Sequence, residues 1–383
     1  MASSTRDFHF VGEGDTAQLE ALKQLIQPWG GEIGPWKRRR GEPGIPDDDK
    51  KPPEHPANYA ASRPLADAVN TSIALGKPLL VTGNPGTGKS QLAERIAWEL
   101  NLGPVLRFEA QSLSEANDLF YRFDLVGYLS AVELFKAAQH SGQPGISPTP
   151  DLFLKLGPLG EAIVRSDPRT HSQIFDAVFS PGENSASATP RPSVVLIDEI
   201  DKASRDFPND LLNGIERREF AIRELRIESV SANPDYPPIV IISSNSERDL
   251  PAPFLRRCTF FHIADPTKEM LEAILIRKFF PRDDDGAAGA RRTQLPNFYR
   301  QLLDQFGLYR EQQKGTLQYS PGTSELIDWT QALILRDAPK DSELTAQLDK
   351  VKMAASTVAK HRDDLAALST FLDGLKPSTT QTT

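Results

Sequence analysis

The chain has 383 residues, with 44 lysines and arginines against 52 aspartates and glutamates, for a formal net charge of −8 at pH 7. Hydrophobic residues make up 39% of the sequence and charged residues 25%, the proportions of a soluble globular protein long enough for two or three domains. The acidic balance excludes a general attraction to nucleic acid or anionic membranes, and the single cysteine, Cys258, excludes an internal disulfide framework.

No uncharged apolar run approaches the roughly 20 residues that a membrane helix needs. The first eight residues lack the apolar core of a signal peptide, so we expect a cytoplasmic protein. Residues 1–56 are predicted to form a partly irregular extension. Ala17 to Gln27 has the leucine spacing of a short helix, but the segment after it is rich in proline, glycine and charge and buries little.

From about residue 57, predicted strands alternate with helices, which indicates an α/β domain with a parallel sheet. The first strand, Pro78–Thr82, leads into Gly83-Asn84-Pro85-Gly86-Thr87-Gly88-Lys89-Ser90, a full match to the phosphate-binding loop pattern G-x-x-x-x-G-K-[ST]. Its glycines let backbone N–H groups face phosphate oxygens at the start of the next helix. Lys89 is expected to reach the β- and γ-phosphates, and Ser90 to ligate Mg²⁺.

A second strand is predicted at Val105–Phe108 and a third at Val194–Ile197, which ends in the adjacent carboxylates Asp198 and Glu199. Successive side chains at a strand end point in different directions. We therefore expect Asp198 to serve the metal shell and Glu199 to polarise an attacking water, the division of labour that hydrolysis requires.

The fourth strand, Ile239–Ser243, is followed by Asn245, whose amide is expected to orient the attacking water. Before the fifth strand, Thr259–Ile263, lie Arg256 and Arg257. An arginine supplied by a neighbouring subunit at such a site stabilises transition-state charge.

After Pro266 helical periodicity takes over. Helices are predicted over Met270–Phe279, Leu295–Phe306, Ser324–Leu335 and Leu344 to about Leu372. The predicted organisation is therefore an N-terminal extension (1–56), an α/β nucleotide-binding core (57–265), a small all-helical lid domain (266–373) and a flexible tail (374–383).

These motifs resemble those of the AAA+ ATPases, and within them the MoxR-like group, over about residues 57–335. The resemblance implies a role for each motif. Gly83–Ser90 would bind the nucleotide, Asp198 the metal, and Glu199 would be catalytic. Asn245 would be the first sensor, and Arg256 or Arg257 the arginine finger. Residues 110–135 look like the helix-2 insert of that group, and Glu219 to Val230 alternates like its hairpin before the first sensor. One departure is the lid motif S-P-R-A, which here reads Ser320-Pro321-Gly322-Thr323 and lacks the second-sensor arginine.

The resemblance implies ATP and Mg²⁺ as cofactors and a ring of subunits, expected to be hexameric. It further implies a chaperone-like remodeller of a protein client, often beside a von Willebrand factor A domain partner. A different possibility is a nucleic-acid-associated AAA+ motor, with arginines of the predicted hairpin lining a pore; interleaved glutamates favour a solvated hairpin instead. The motifs are also compatible with an McrB-like NTPase in a defence system that uses GTP, and with a nucleotide-gated scaffold with little hydrolysis. The McrB first-sensor motif is absent from the sequence, which favours ATP.

Overall fold

The computed structural model describes residues 54–140, 147–179, 183–245, 250–281 and 292–375. The helix predicted over Ala17 to Gln27 and most of the predicted tail lie outside these residues. Within them the chain divides into two compact units. One, the α/β unit, contains residues 60–83 and 89–263; the other, the helical unit, contains residues 54–59, 84–88 and 264–375.

The α/β unit contains one large sheet and two short hairpin-like pairs. Its strands are, in chain order, β1 (Leu79–Gly83), β2 (Leu106–Glu109), β3 (Tyr121–Phe123), β4 (Leu154–Leu156), β5 (Val194–Asp198), β6 (Glu219–Ile222), β7 (Ile227–Ser231), β8 (Ile239–Ser244) and β9 (Thr259–Ile263). The large sheet is parallel throughout, in the order β2-β5-β8-β1-β9. All five strands predicted from the sequence are confirmed, with bounds that shift by at most one residue.

The three central strands are continuous apolar runs because both of their faces are covered. Every residue of β1 and β8 is buried, as are the first four of β5. The edge strands are more open, since β2 has one buried residue, Phe108, and β9 alternates half-buried and exposed residues. Parallel strands place all their carboxyl ends at one edge of the sheet, which is where the predicted motif residues follow.

The described part of the α/β unit also contains seven α-helices and the two short antiparallel pairs. The helices are α1 (Arg63–Leu75), α2 (Lys89–Glu99), α3 (Leu125–His140), α4 (Pro158–Ser166), α5 (Ser172–Val178), α6 (Phe207–Arg217) and α7 (Ala252–Leu255). The predicted insert at 110–135 contains β3, which pairs with β4, and the start of α3. The predicted hairpin at Glu219 to Val230 is confirmed as the antiparallel pair β6–β7.

The helical unit has its own apolar core. Its helices are α8 (Lys268–Phe279), α9 (Asn297–Gln312), α10 (Thr323–Ile334), α11 (Leu348–Met353) and α12 (Arg362–Asp373). Three of the four predicted helices correspond to α8, α9 and α10. The core is built on fully buried aromatic rings, among them Phe298, Phe306 and Trp329.

The continuous helix predicted from Leu344 to about Leu372 is wrong. The segment breaks into a 3₁₀ turn, α11, a second 3₁₀ turn at Ala355–Thr357, and α12. At the break the Thr357 hydroxyl donates to the Ala354 carbonyl, and His361 caps α12 by accepting the Asp363 N–H. The break lets Val351, Val358 and Leu368 enter the same apolar core, a tertiary gain that overrides helical periodicity. In the part of the chain that the structure describes, no helix has both the length and the apolar content needed to cross a bilayer.

Candidate nucleotide site

The phosphate-loop sequence connects β1 to α2, and three of its glycines have positive φ values, beginning with Gly83 at +148°. Gly86 and Gly88 have φ values of +80° and +88°, in the left-handed region that other residues avoid. A Cβ atom on Gly86 would lie 2.8 Å from the Ser324 hydroxyl, and one on Gly88 would lie 2.9 Å from a ring carbon of Tyr59. Conformation and space therefore both demand glycine, and the backbone is left free to approach a ligand closely.

Lys89 is the first residue of α2 and is only 7% exposed. Its Nζ donates a hydrogen bond of 2.7 Å to the carbonyl of Gly83, at the other end of the loop. Burial lowers the Lys89 pKa, while the negative charges of Asp198, Asp201 and Glu199 act in the opposite direction. A buried ammonium at the base of the loop is an electrostatic match for phosphate.

Ser90 and Asp198, the predicted metal residues, are in direct contact. The Ser90 Oγ donates to Asp198 Oδ2 at 2.7 Å and to Oδ1 at 3.0 Å. Mg²⁺ in nucleotide sites is held by one or two protein oxygens together with phosphates and waters, so a hydroxyl beside a carboxylate fits this ion. The two residues would hold Mg²⁺ against the phosphates.

Ser243 is a site residue that the sequence reasoning missed. Because Ile197 of β5 pairs with Ile242 of β8, the next residues along, Asp198 and Ser243, lie side by side. The Ser243 hydroxyl donates to Asp198 Oδ1 and accepts the backbone N–H of Glu199 at 2.9 Å. One fully buried hydroxyl thus bonds both the carboxylate of Asp198 and the backbone of Glu199.

Glu199 has a left-handed backbone, with φ 54° and ψ 48°. Its N–H is fixed by Ser243, and its carboxylate accepts a 2.5 Å bond from Lys202 Nζ, which raises the Lys202 pKa. The carboxylate side chain is 41% exposed. It therefore stands at the surface of the site, where a water molecule can reach it. Lys202 was also missed, because a lysine three residues after a glutamate is common on any polar surface.

Asn245 lies just beyond the carboxyl end of β8, next to the carboxylate cluster. Its backbone N–H donates to Asp201 Oδ1 at 3.0 Å, and the residue is exposed. Residues 246–249 are outside the described chain, so the expected role of the Asn245 side chain in orienting water stays a prediction.

Arg256 and Arg257 follow α7 and are both exposed. Arg257 pairs with Glu216 of α6, its Nε 3.1 Å from Oε2. Within the described ranges Arg256 makes no ion pair, and neither arginine contacts the cluster around Asp198. The two arginines therefore differ in their ion pairing, a difference that the sequence does not indicate.

Comparison with known proteins gives one family match. Residues 78–258, slightly less than half of the chain, match the AAA domain (dynein-related subfamily). Together with the five-stranded parallel sheet, this match gives the segment the P-loop AAA+ fold. No curated protein matches the chain.

Among solved structures, the chain is similar to a single-residue variant of RuvB from Thermotoga maritima, with a TM-score of 0.35. It is also similar to the same organism's RuvB described as a Holliday junction branch migration motor, with a TM-score of 0.34. In both comparisons the identity is 14%, over 77% of this chain and 67% of the other. At these scores the likeness carries no argument about function.

Proposed function

We propose that this protein binds ATP with Mg²⁺ at Gly83–Ser90 and hydrolyses the γ-phosphate, with Glu199 polarising the attacking water. The observation that carries the proposal is the hydrogen-bonded chain Ser90–Asp198–Ser243–Glu199 at the carboxyl edge of the sheet. When bound, Mg²⁺ would neutralise charge that develops on the phosphates.

The protein's own groups divide the remaining work. The loop backbone and the buried Lys89 bind phosphate, while Ser90 and Asp198 supply metal oxygens. Ser243 accepts the backbone N–H of Glu199 in its left-handed conformation, and the Glu199 carboxylate is proposed to polarise the water from this fixed backbone. Asn245 beside the cluster is proposed to orient the same water.

One substitution tests nucleotide binding and another tests hydrolysis. Lys89→Ala should abolish nucleotide binding, whereas the control Lys352→Ala, which removes a surface partner of Asp373, should not. Glu199→Gln should keep ATP binding and lose about 10²-fold or more in turnover, the usual contribution of a general base. Wild-type turnover in Glu199→Gln would refute the catalytic assignment. Binding without measurable turnover in the wild type would favour the nucleotide-gated scaffold, and a preference for GTP would favour the McrB-like NTPase.

We further propose that subunits assemble in a ring, hexameric by resemblance, and that Arg256 acts on the neighbour's nucleotide. Arg256 is exposed without an ion pair in the described part of the chain, whereas Arg257 is engaged by Glu216. Arg256→Ala and Glu199→Gln subunits, each expected to be inactive alone, should regain ATPase activity when mixed, because some sites then pair an intact Glu199 with a neighbour's intact Arg256. Arg257→Ala is the matched control and should keep activity by itself. A mixture that stays inactive would argue against sharing.

The work done with ATP is proposed to be remodelling of a protein partner, in the manner of MoxR-like proteins, with a von Willebrand factor A domain protein as the expected partner. The competing function, a nucleic-acid motor, depends on arginines around β6–β7. Two of these are already engaged, since Arg218 donates to the Gly76 carbonyl and Arg217 lies 3.7 Å from Glu219. Duplex and single-stranded DNA binding measured across salt concentrations distinguishes the two functions, because phosphate contacts make affinity fall steeply with salt.

A further inference from the structure

The apex of the phosphate loop is anchored in the helical unit. Residues 84–88 group by their contacts with residues 264–375, although Gly83 and Lys89 on either side belong to the α/β unit. The apex is internally ordered, since the Thr87 hydroxyl donates to the Asn84 carbonyl at 2.8 Å. The apex is therefore described with the helical unit.

One carboxylate makes the main polar connection. Asn84 Nδ2 donates to Asp265 Oδ1 at 3.0 Å, and the Arg310 guanidinium donates to Asp265 Oδ2 at 3.2 Å. Asp265 lies in the segment between β9 and α8, and Arg310 lies in the last turn of α9 above the ring of Phe306, 5.8 Å from its centroid. Because both bonds end on the same carboxylate, a change in one alters the other.

Position 322, where the lid motif has an arginine, is a glycine and carries no charge. Gly322 directly precedes α10, and its N–H donates to Glu325 Oε2 at 2.8 Å. The nearest loop atom to a Cβ built at this position is the Pro85 carbonyl oxygen, at 3.5 Å. Helix α10 thus lies beside the loop apex with no cation at position 322. Arg310 of α9 instead bonds Asp265, the carboxylate that accepts from Asn84.

We propose that the chain Asn84–Asp265–Arg310 couples nucleotide binding to the helical unit, with Asp265 as the positioning residue and Arg310 in place of an arginine at position 322. The inference rests on the proposed nucleotide site. Phosphate in the loop changes the environment of Asn84, and the shared carboxylate passes that change to the end of α9. Neither Asp265 nor Arg310 is assigned to the chemical step.

The coupling can be measured without turnover by comparing the hydrogen-exchange rates of the α9 amides with and without ADP and Mg²⁺. In the wild type we expect ADP to slow exchange in the last turns of α9 by about fivefold or more. In Asp265→Ala and Arg310→Ala this slowing should be lost, while ADP affinity falls by only about two- to fivefold, the scale of an exposed pair. The double variant should behave like either single one. Arg310→Lys, which keeps the charge, should retain part of the effect.

Lys268→Ala is the matched control, because it breaks an exposed pair of α8 and α9, Lys268 to Asp304 at 2.5 Å, that does not touch the loop. It should leave the ADP-dependent slowing intact. If Asp265→Ala and Arg310→Ala keep that slowing, or if ADP binds the wild type without any slowing, the inference is wrong while the nucleotide site stands. If ADP does not bind the wild type at all, the proposed function itself fails.

Discussion

Ser243→Ala is the substitution that most directly tests how the site is built. The hydroxyl is fully buried, donates to Asp198 and accepts the Glu199 N–H. Its removal leaves the part-buried Glu199 N–H without this acceptor, which costs about 1–3 kcal/mol, and takes a donor from the Asp198 carboxylate, a bond of about 1.5–3 kcal/mol. Ser90 still donates to Asp198, so we expect the free energy of unfolding to fall by about 2–4 kcal/mol.

The chain offers a closely matched control for this loss. Ser166 is also fully buried, donates to the Ile163 carbonyl at 2.6 Å and accepts the Asn233 N–H at 2.9 Å. Ser166→Ala therefore removes the same kinds of bond far along the chain from the motifs. It should lower the midpoint of urea unfolding comparably, apart from the extra strength of the carboxylate bond.

Turnover separates the two variants. The left-handed backbone of Glu199 costs about 1–2 kcal/mol and depends on the bond to Ser243. In Ser243→Ala we expect Glu199 to relax and turnover at saturating ATP to fall by about tenfold or more, equivalent to about 1.4 kcal/mol of transition-state stabilisation. Turnover in Ser166→Ala should stay near wild type. Equal turnover in both variants, at a temperature where both are folded, would refute the reasoning.

Four further predictions concern Gly322, Lys202 and Cys258. Gly322→Arg should fold, because Gly322 has an extended backbone and a Cβ there would make only ordinary contacts. The variant should bind ADP more tightly, by about threefold or more, in a titration with a fluorescent analogue. Unchanged affinity would show that no cation is missing at position 322. Lys202→Ala should raise turnover, by at most about fivefold, because an exposed ion pair no longer engages Glu199; a fall in turnover would mean that Lys202 assists catalysis. Burial raises the Cys258 pKa to about 12, so iodoacetamide at pH 8 should label the native thiol on the order of 10²-fold more slowly than the unfolded one. Because of the same pKa shift, Cys258 keeps its proton in the folded state, while an unfolded thiol loses it above about pH 9. The contribution of Cys258 to stability therefore falls as pH rises from about 9 to 12. Labelling of the native protein at the unfolded rate would contradict both the labelling and the stability prediction.

The parallel sheet was predictable because its central strands are continuous apolar runs, each ending in polar residues at the same edge. The phosphate loop was predicted from its full match to the phosphate-binding pattern, and Asp198 and Glu199 from their place at the end of a buried strand. Their functional roles remain predictions; the structure shows that the Ser90 hydroxyl donates to Asp198.

Strand register and tertiary packing decide several features that could not be read from the chain. Ser243 is an ordinary strand residue until β5 and β8 are aligned, and only that alignment places it against Asp198. Arg257 differs from Arg256 only because Glu216, far away in sequence, reaches it. The interrupted segment after Leu344 has sustained helical spacing, yet burial of Val351 and Val358 in one core outweighs it.

The left-handed backbone at Glu199 also limits which substitutions at this position still allow the protein to fold. Asparagine, aspartate and glycine enter the left-handed region readily, whereas valine and isoleucine do so at considerable strain. A genetic screen for dominant-negative alleles, which must fold and join wild-type partners, should therefore be enriched at this codon in the first group. β-branched replacements would instead be recovered as recessive losses of abundance.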